Sequence, residues 1–300
     1  MKKSFVCLFF TVLFMASTLS AKPSQAATPA APQPVITSPD QLDLIDVSVV
    51  TKVLKPDLIR LQNKKTYRLD EIRVPPVYSQ VAMAYLTKTL VGKKVGIYAD
   101  KYNKLALNDS YGNGIGSVVL EDATWVQNDM VSRGIAWAYS TANNRLLVRE
   151  LQKSEDEARK NNLGFWASPD YAVKTIDTVG KYINSFQVFE GRVTFLEGIE
   201  DRNFFYFGTD GKKGVGLVAT LSVSDLVNFE RRFDPNRWVN HTLRIRGWVE
   251  SDPSSPAPII KLTHLQQVEV LDLPQPRPNQ PASPEAPAAP APGQPIQQPQ

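Results

Sequence analysis

A chain of 300 residues with 42% hydrophobic and 21% charged side chains is long enough for two globular cores and too polar for a many-spanning membrane protein. Its 34 basic and 30 acidic residues give +4, but Lys2, Lys3 and Lys22 lie in the first 26 residues, which hold no acid. Without them the balance is 31 against 30, so no global field gathers nucleic acid, and the single cysteine, Cys7, excludes a disulfide framework.

Lys2 and Lys3, the apolar run 5–15 and the small-x-small triplet Ser24-Gln25-Ala26 have the order of a secretory signal peptide over residues 1–26. The run is too short to cross a hydrocarbon core of roughly 30 Å. The expectation is an exported bacterial protein, periplasmic or secreted, cut near Ala26, with no transmembrane segment after removal of the leader. An uncleaved anchor is the alternative. Residues 27–44, rich in Ala and Pro, read as a flexible arm.

In the segment 45–170, strands are predicted at 47–53, 58–61 and 67–72, with turn residues Lys55-Pro56-Asp57 and Asn63-Lys64-Lys65 between them. A helix near 78–91 carries Ala82, Leu86 and Leu90 at helical spacing and ends at Gly92. Strands at 95–99 and 116–120 follow, then a helix near 125–133 and another with Leu147, Leu151, Ser154 and Ala158 on one face. Three strands, a helix, two strands and two helices suit a small closed barrel of the OB type, mainly β with packed helices, an α+β fold. Residues 171–180 hold no long apolar stripe and read as a linker, so two barrels are expected to fold separately. The segment 181–272 repeats the pattern: strands at 189–195, 204–207, 215–219, 241–249, 259–262 and 268–271 around a helix near 223–233 suggest a second OB-like barrel. Ten prolines from Pro274 to Pro299 mark 273–300 as a disordered, extended tail. Any preference for phosphate falls on the first barrel, with 18 basic against 14 acidic residues over 46–170, rather than the second, with 11 against 12 over 181–272.

Several short motifs in the first segment share one order. Tyr67-Arg68-Leu69 is followed by Ile72 and Pro75, Tyr111-Gly112-Asn113-Gly114 comes later, then Met130-Val131-Ser132-Arg133-Gly134-Ile135-Ala136, and Ala158-Arg159 with Gly164-Phe165-Trp166 closes the segment. With Val50–Val53 leading into Asp57–Leu61, this series resembles a staphylococcal nuclease (thermonuclease-like) domain over nearly its whole length. The second barrel, through Gly191-Arg192-Val193, Arg244-Ile245-Arg246-Gly247-Trp248-Val249 and Val268-Glu269-Val270, resembles the OB-like domain that follows nuclease-like domains in exported bacterial proteins.

The first resemblance implies calcium-dependent phosphodiester hydrolysis, with two aspartates on the metal, a glutamate base and two arginines on the phosphate. A metal and a guanidinium clamp meet the charge that develops on the phosphate. Asp57 keeps the first metal position and Arg68 the first arginine. Arg73 stands at the second metal aspartate, Pro76 at the glutamate base and Asn113 at the second arginine. Calcium takes six to eight oxygen ligands, so a guanidinium among them removes a ligand and adds like charge. Losing a general base alone is worth about 10²–10⁴-fold. No catalytic residue, metal or cofactor is therefore expected: the reading is a non-catalytic binding or scaffold module. The alternative is a calcium-dependent nuclease of DNA or RNA with a relocated site drawing on Asp70 or Glu71. Glu71 and Arg73 share a strand parity and read as a surface ion pair. Arg68, Tyr111 and Tyr139 are the ligand-binding candidates, the tyrosines matching aromatic positions beside the family's nucleotide pocket. Packing is the competing role for both, a structural ion pair for Arg68, and a hairpin turn for Asn113-Gly114. The partner class stays open between protein, cell-wall polymer and nucleic acid. Arg244 and Arg246 share a face with Trp248, either as a stacking surface for bases or as a half-buried strand. A metal site on His241 and His264, the only histidines, is not expected.

Overall fold

The computed structural model describes residues 36–208, 216–230, 233–253, 255 and 257–272. The predicted leader, residues 27–35 of the arm and the proline-rich tail lie outside them. The end of the arm does not: Pro39–Gln41 form a 3-10 turn and β1 (Asp43–Lys55) starts at once.

The first barrel closes in the order β1–β2 (Leu58–Leu61)–β3 (Thr66–Leu69)–β6 (Gly114–Leu120)–β5 (Lys94–Ala99)–β1. Only β3 and β6 run parallel. Val50, Ile59, Leu61, Leu69, Val95, Ile97 and Val118 fill it. Full burial of side chains of this size is worth about 1.5–3 kcal/mol each. Ala82, Leu86 and Leu90 are the buried face of α1 (Ser79–Leu90), as their spacing predicts. α2 (Val126–Ser132) and α3 (Val148–Lys160) flank the barrel. Gly134 and Gly164, at φ +63° and +55°, lie back to back, and a Cβ on either would come within 2.1 Å of a carbonyl oxygen of the other turn. This contact, with Phe165 N–H donating to Gly134 O at 2.9 Å, seats Phe165 and Trp166 in a small aromatic core with Trp137 and Phe186.

One predicted strand is broken. The run 67–72 stops at Leu69 and resumes as the two-residue β4 (Ile72–Arg73), which pairs with β7 (Trp137–Ala138). The break is at Glu71, whose φ of +57° is outside the extended range.

The expected linker is not one. Lys174–Thr175 form β8 and Ile176–Tyr182 a 3-10 segment whose Val179 is buried in the second core. β8 pairs in parallel with β9 (Phe186–Ile199). From β9 the pairing runs to β10 (Arg202–Phe207), β11 (Leu217–Ser222), β13 (Ile259–Leu262) and β12 (Thr242–Glu250), then returns to β9. That ring has the order of the first, again with one parallel pair, β11 with β13. β14 (Val268–Val270) extends it beyond β12. The helix expected near 223–233 is only a 3-10 turn, Val223–Asn228. Val223 and Val227 point to solvent, while Leu226, Phe229 and Phe233 pack on the second core. Residues 231–232 of that expectation lie outside the described residues.

The two barrels, expected to fold separately, share a surface of hydrogen bonds and ion pairs. α3 lies against β12 and β14, joined by groups that are polar in the sequence and buried in the fold. Arg246 Nη1 donates to Glu155 Oε2 at 2.7 Å and to Ala138 O at 3.1 Å, and its Nη2 donates to Glu269 Oε1 at 2.8 Å. The side chains of Arg246 and Glu155 are 2% and 3% exposed. Arg149 donates to the carbonyls of Leu265 and Val268, and Gln152 to that of Gln266. Arg244 reaches Glu190, Asp156 and Glu269. The face of β12 that the sequence offers to bases is thus largely covered, and only Trp248, 39% exposed, reaches solvent.

Candidate binding groove

The turn after β1 carries Pro56 and Asp57, and Asp57 O accepts Leu69 N–H at 2.8 Å. This places Asp57 beside β3, where Arg68 donates to its carboxylate through Nη1. The same guanidinium donates to Asp109 Oδ2 through Nε at 3.1 Å and lies 3.0 Å from it through Nη2. Asn113 Nδ2 donates to Asp109 Oδ2 at 2.9 Å, and Thr66 Oγ1 donates to Asn113 Oδ1 at 2.6 Å. Burial would raise the carboxyl of Asp109, but Asn113, the Tyr111 N–H and Arg68 outweigh it and hold the group below its ordinary value. Arg68 is thus a structural ion-pair partner on two sides, and Asn113 a member of its network. The tight turn lies ahead of Asn113-Gly114 and not on it. It is Asp109–Gly112, closed by Gly112 N–H to Asp109 O at 3.0 Å with Gly112 at φ +79°. Tyr111 at its tip is 83% exposed, so packing does not account for it. Its one ring contact is Lys55, 5.9 Å from the centroid.

Glu71 does not pair with Arg73. The bend at +57° turns it inward, where it is 7% exposed. Its two carboxylate oxygens accept the Leu147 N–H, just before α3, at 3.1 and 3.0 Å. Burial raises the Glu71 carboxyl well above its ordinary value, and the neighbouring Asp70 adds to the effect. Burial likewise lifts Asp70 to about 7, against the Glu71 N–H that it accepts.

Arg73 is held by rings from both barrels. Its guanidinium carbon stands 4.2 Å from the centroid of Trp248, 5.7 Å from Tyr139 and 5.9 Å from Phe186. Such stacking on a Trp face is worth about 0.5–2 kcal/mol. Among the described residues no carboxylate hydrogen-bonds to it or lies within 4 Å, although the charge of Asp57 acts on it. Pro76 opens an exposed 3-10 turn, Pro76–Tyr78.

A hollow of about 390 Å³ collects Asp57, Arg68, Asp70, Glu71, Arg73 and Tyr139. A second, of about 260 Å³, is lined by Phe186, Trp248, Lys261 and His264. Tyr139, Ser140 and Thr141 line both. A larger one of about 520 Å³, among Leu44, Val47, Tyr98 and Trp125, includes none of these groups. The sequence reading missed Trp248 and Phe186 as neighbours of Arg73, and Asp109 as the partner of Arg68. The alternation of Arg244, Arg246 and Trp248 was a visible signal, but its partner face was not.

His264 is buried between the barrels. Its Nε2 is 2.7 Å from Ser140 Oγ and its Nδ1 is 3.0 Å from Thr263 Oγ1. Burial, then the charges of Arg145 and Arg149, lower its pKa to about 4. A histidine that resists protonation when folded destabilises the protein as pH falls from about 6.5 through 4, by up to about 3 kcal/mol at the lower end. Asp70 and Glu71 act in the opposite sense: their raised values favour the fold at low pH, a contribution lost as pH rises through the folded pKa, about 7 for Asp70. The histidine is isolated by comparing wild type with His264→Asn in urea melts. The stability difference should move toward the variant between pH 7 and 4. A difference that is flat with pH rejects this assignment.

Residues 59–168 match the family model described as Staphylococcal nuclease homologue. They form a staphylococcal-nuclease-like domain, and Asp57 falls two residues before the matched stretch. Two plant proteins align to part of it. One, named Staphylococcal-like nuclease CAN1, from Arabidopsis thaliana, is 34% identical over 93 residues, 30% of this chain and 25% of that protein. The other, named Probable staphylococcal-like nuclease CAN1, from Oryza sativa subsp. japonica, is 32% identical over 111 residues, 36% of this chain and 30% of that protein. The chain therefore spans less than a third of the length of either relative.

Proposed function

We propose that this staphylococcal-nuclease-like domain, with the second barrel joined to it, is a non-catalytic binding or scaffold module. The observation that carries the reading is Arg73. It stands where the resemblance puts the second metal aspartate, and its guanidinium is stacked on Trp248. A divalent ion there would meet a fixed cation in place of a ligand. Asp57, the retained metal position, is already paired with Arg68, which it shares with Asp109. Of the two carboxylates at the bend, Glu71 is turned toward Leu147 and Asp70 accepts the Glu71 N–H. This donor set does not fit calcium, which needs six to eight oxygens.

The rival reading is a calcium-dependent nuclease with a relocated site. Asp70, on the wall of the same hollow as Asp57, favours it, as do the names of the two plant relatives. The test is hydrolysis of single-stranded DNA in about 10 mM calcium, enough to fill even weak sites. The expected result is no release of acid-soluble nucleotide above buffer, and no calorimetric calcium binding tighter than about 10⁻⁴ M. Calcium-dependent release that disappears in both Asp57→Ala and Asp70→Ala would establish the rival instead.

We further propose that the chain acts outside the cytoplasm of a bacterium after cleavage near Ala26. No helix among the described residues is long and apolar enough to cross a membrane. Mass spectrometry of the protein from its host should find the new N-terminus close to Ala26; an intact Met1 terminus in the cytoplasm counts against export.

A further inference from the structure

The groove is lined by the guanidinium groups of Arg68 and Arg73, by the carboxylates of Asp57, Asp70 and Glu71, by aromatic rings and by small polar side chains. Arg73 has five N–H donors in one plane. Trp248, Tyr139 and Phe186 hold that plane from both barrels. Among the described residues no hydrogen bond or ion pair takes up its donors. Arg68, in the same hollow, is instead saturated by Asp57 and Asp109. The two arginines therefore differ in kind: Arg68 is spent inside the protein, and Arg73 is positioned with its donors open.

The charge around Arg73 selects among anions. Arg68 with Asp57 and Asp109 leaves one net negative charge, and Asp70 adds to it as pH rises. A dianionic phosphate brought to Arg73 would be opposed by those carboxylates. A single carboxylate matches the planar fork of a guanidinium through two parallel hydrogen bonds and brings half the charge.

The hollows define what the carboxylate is attached to. The larger, about 390 Å³, is within the range of about 300–1,000 Å³ usual for small-molecule sites. It continues along Tyr139, Ser140 and Thr141 into the smaller one, where Trp248 and Phe186 form an apolar wall. An aromatic or flat apolar group one or two bonds from the carboxylate would lie against those rings, where aromatic pairs gain about 0.5–1.5 kcal/mol beyond burial.

We propose that the cleft between the barrels binds an aromatic carboxylic acid, its carboxylate on Arg73 and its ring along Tyr139 toward Trp248. The shared chemistry is met by a free acid or by the C-terminus of a peptide ending in an aromatic residue. The proposal rests on the reading of the groove as a binding site, and names its ligand class.

The probes are N-acetylphenylalanine, its C-terminal amide, the tripeptide Gly-Gly-Phe and inorganic phosphate, added to the full chain. Binding is followed by isothermal titration and by tryptophan fluorescence. The acid should bind saturably with a dissociation constant on the scale of ~1 mM or tighter, and the amide and phosphate at least about tenfold more weakly. A tripeptide that binds more tightly than the acid identifies a peptide terminus as the source; the reverse order identifies a free acid. Arg73→Gln should abolish the preference for acid over amide. Arg73→Lys, which keeps the charge without the fork, should weaken it. A melt of each variant checks that it folds, and the wild-type contrast between acid and amide stands without any variant. Equal binding of acid and amide, no saturable binding of the acid, or phosphate binding as well as the acid overturns the proposal; in the first two cases Arg73 is an interface anchor only. Nuclease activity is scored separately. A wild type that cuts DNA yet prefers the acid through Arg73 sinks the non-catalytic reading and leaves this one intact.

Discussion

Replacing Arg246 by Ala should lower the stability of the folded chain by about 3–5 kcal/mol, the usual result of removing one partner of a buried ion pair. The reason is what stays behind. Glu155 has one oxygen on the Ala138 N–H at 2.9 Å and the other on Arg246 at 2.7 Å. Glu269 also relies on Arg246, with Arg244 beside it, and together they hold its carboxyl below the ordinary value despite burial. Without Arg246, Glu155 is a carboxylate with almost no access to water and no cation within reach. The comparison that separates loss of the pair from loss of shape is the double variant Glu155→Leu with Arg246→Leu, which should recover much of the deficit, since apolar replacement of a buried pair is often close to neutral. Because the pair spans both barrels, wild type should melt in one transition, with calorimetric and van't Hoff enthalpies in agreement. Two resolved transitions in wild type, or a loss below about 1 kcal/mol in Arg246→Ala, would show that the barrels are stable apart.

Restoring the family residues should not restore the chemistry. The triple variant Arg73→Asp, Pro76→Glu, Asn113→Arg is expected to remain at least about 10³-fold below an authentic family nuclease on single-stranded DNA in calcium, the loss typical of even one misplaced group acting on developing charge. Arg73→Asp sets a carboxylate against Trp248 and Phe186, beside Asp57 and Asp70, surroundings that favour its protonated form. Asn113→Arg removes the amide that bridges Asp109 and Thr66 and adds a second guanidinium competing for Asp109. Arg68 remains committed to two aspartates. Reacting groups must be held to within about 0.5 Å, and each of these changes disturbs a neighbour that would do the holding. A triple variant within about tenfold of an authentic enzyme, roughly 1.4 kcal/mol in barrier, would show that the groove is intact beneath its substitutions.

Spacing alone was informative where one apolar face met one core. The i, i+4, i+8 series of Ala82, Leu86 and Leu90 predicts the buried side of α1, and the five strands of the first barrel fall where alternation puts them. It misled at Glu71, where alternation assumes an extended backbone and the chain takes a left-handed turn instead. It also misled at 223–233, where Leu226, Phe229 and Phe233 stand at helical spacing and pack on the core, yet the backbone forms only a 3-10 turn. The candidate residues Asp57, Arg68, Arg73, Pro76 and Asn113 were nameable because motif order carries them. What each touches was not, since Asp109 is 41 residues from Arg68 and Trp248 is 175 from Arg73.

By itself the sequence determined two strand-rich cores, the order of their elements and the identity of the residues where the resemblance puts reactive groups, because these depend on local periodicity and on short motifs. Only the tertiary structure decided that the barrels share a polar surface, that Arg68 is paired with two aspartates and that, among the described residues, Arg73 makes no hydrogen bond or ion pair. Arg149, Gln152, Glu155, Arg244 and Arg246 read as solvated faces when each helix or strand is taken alone. Gln152, Glu155 and Arg246 are buried, and Arg149 and Arg244 half-buried, because the two surfaces are complementary in charge and hydrogen bonding, a property of the pair of surfaces and of neither segment.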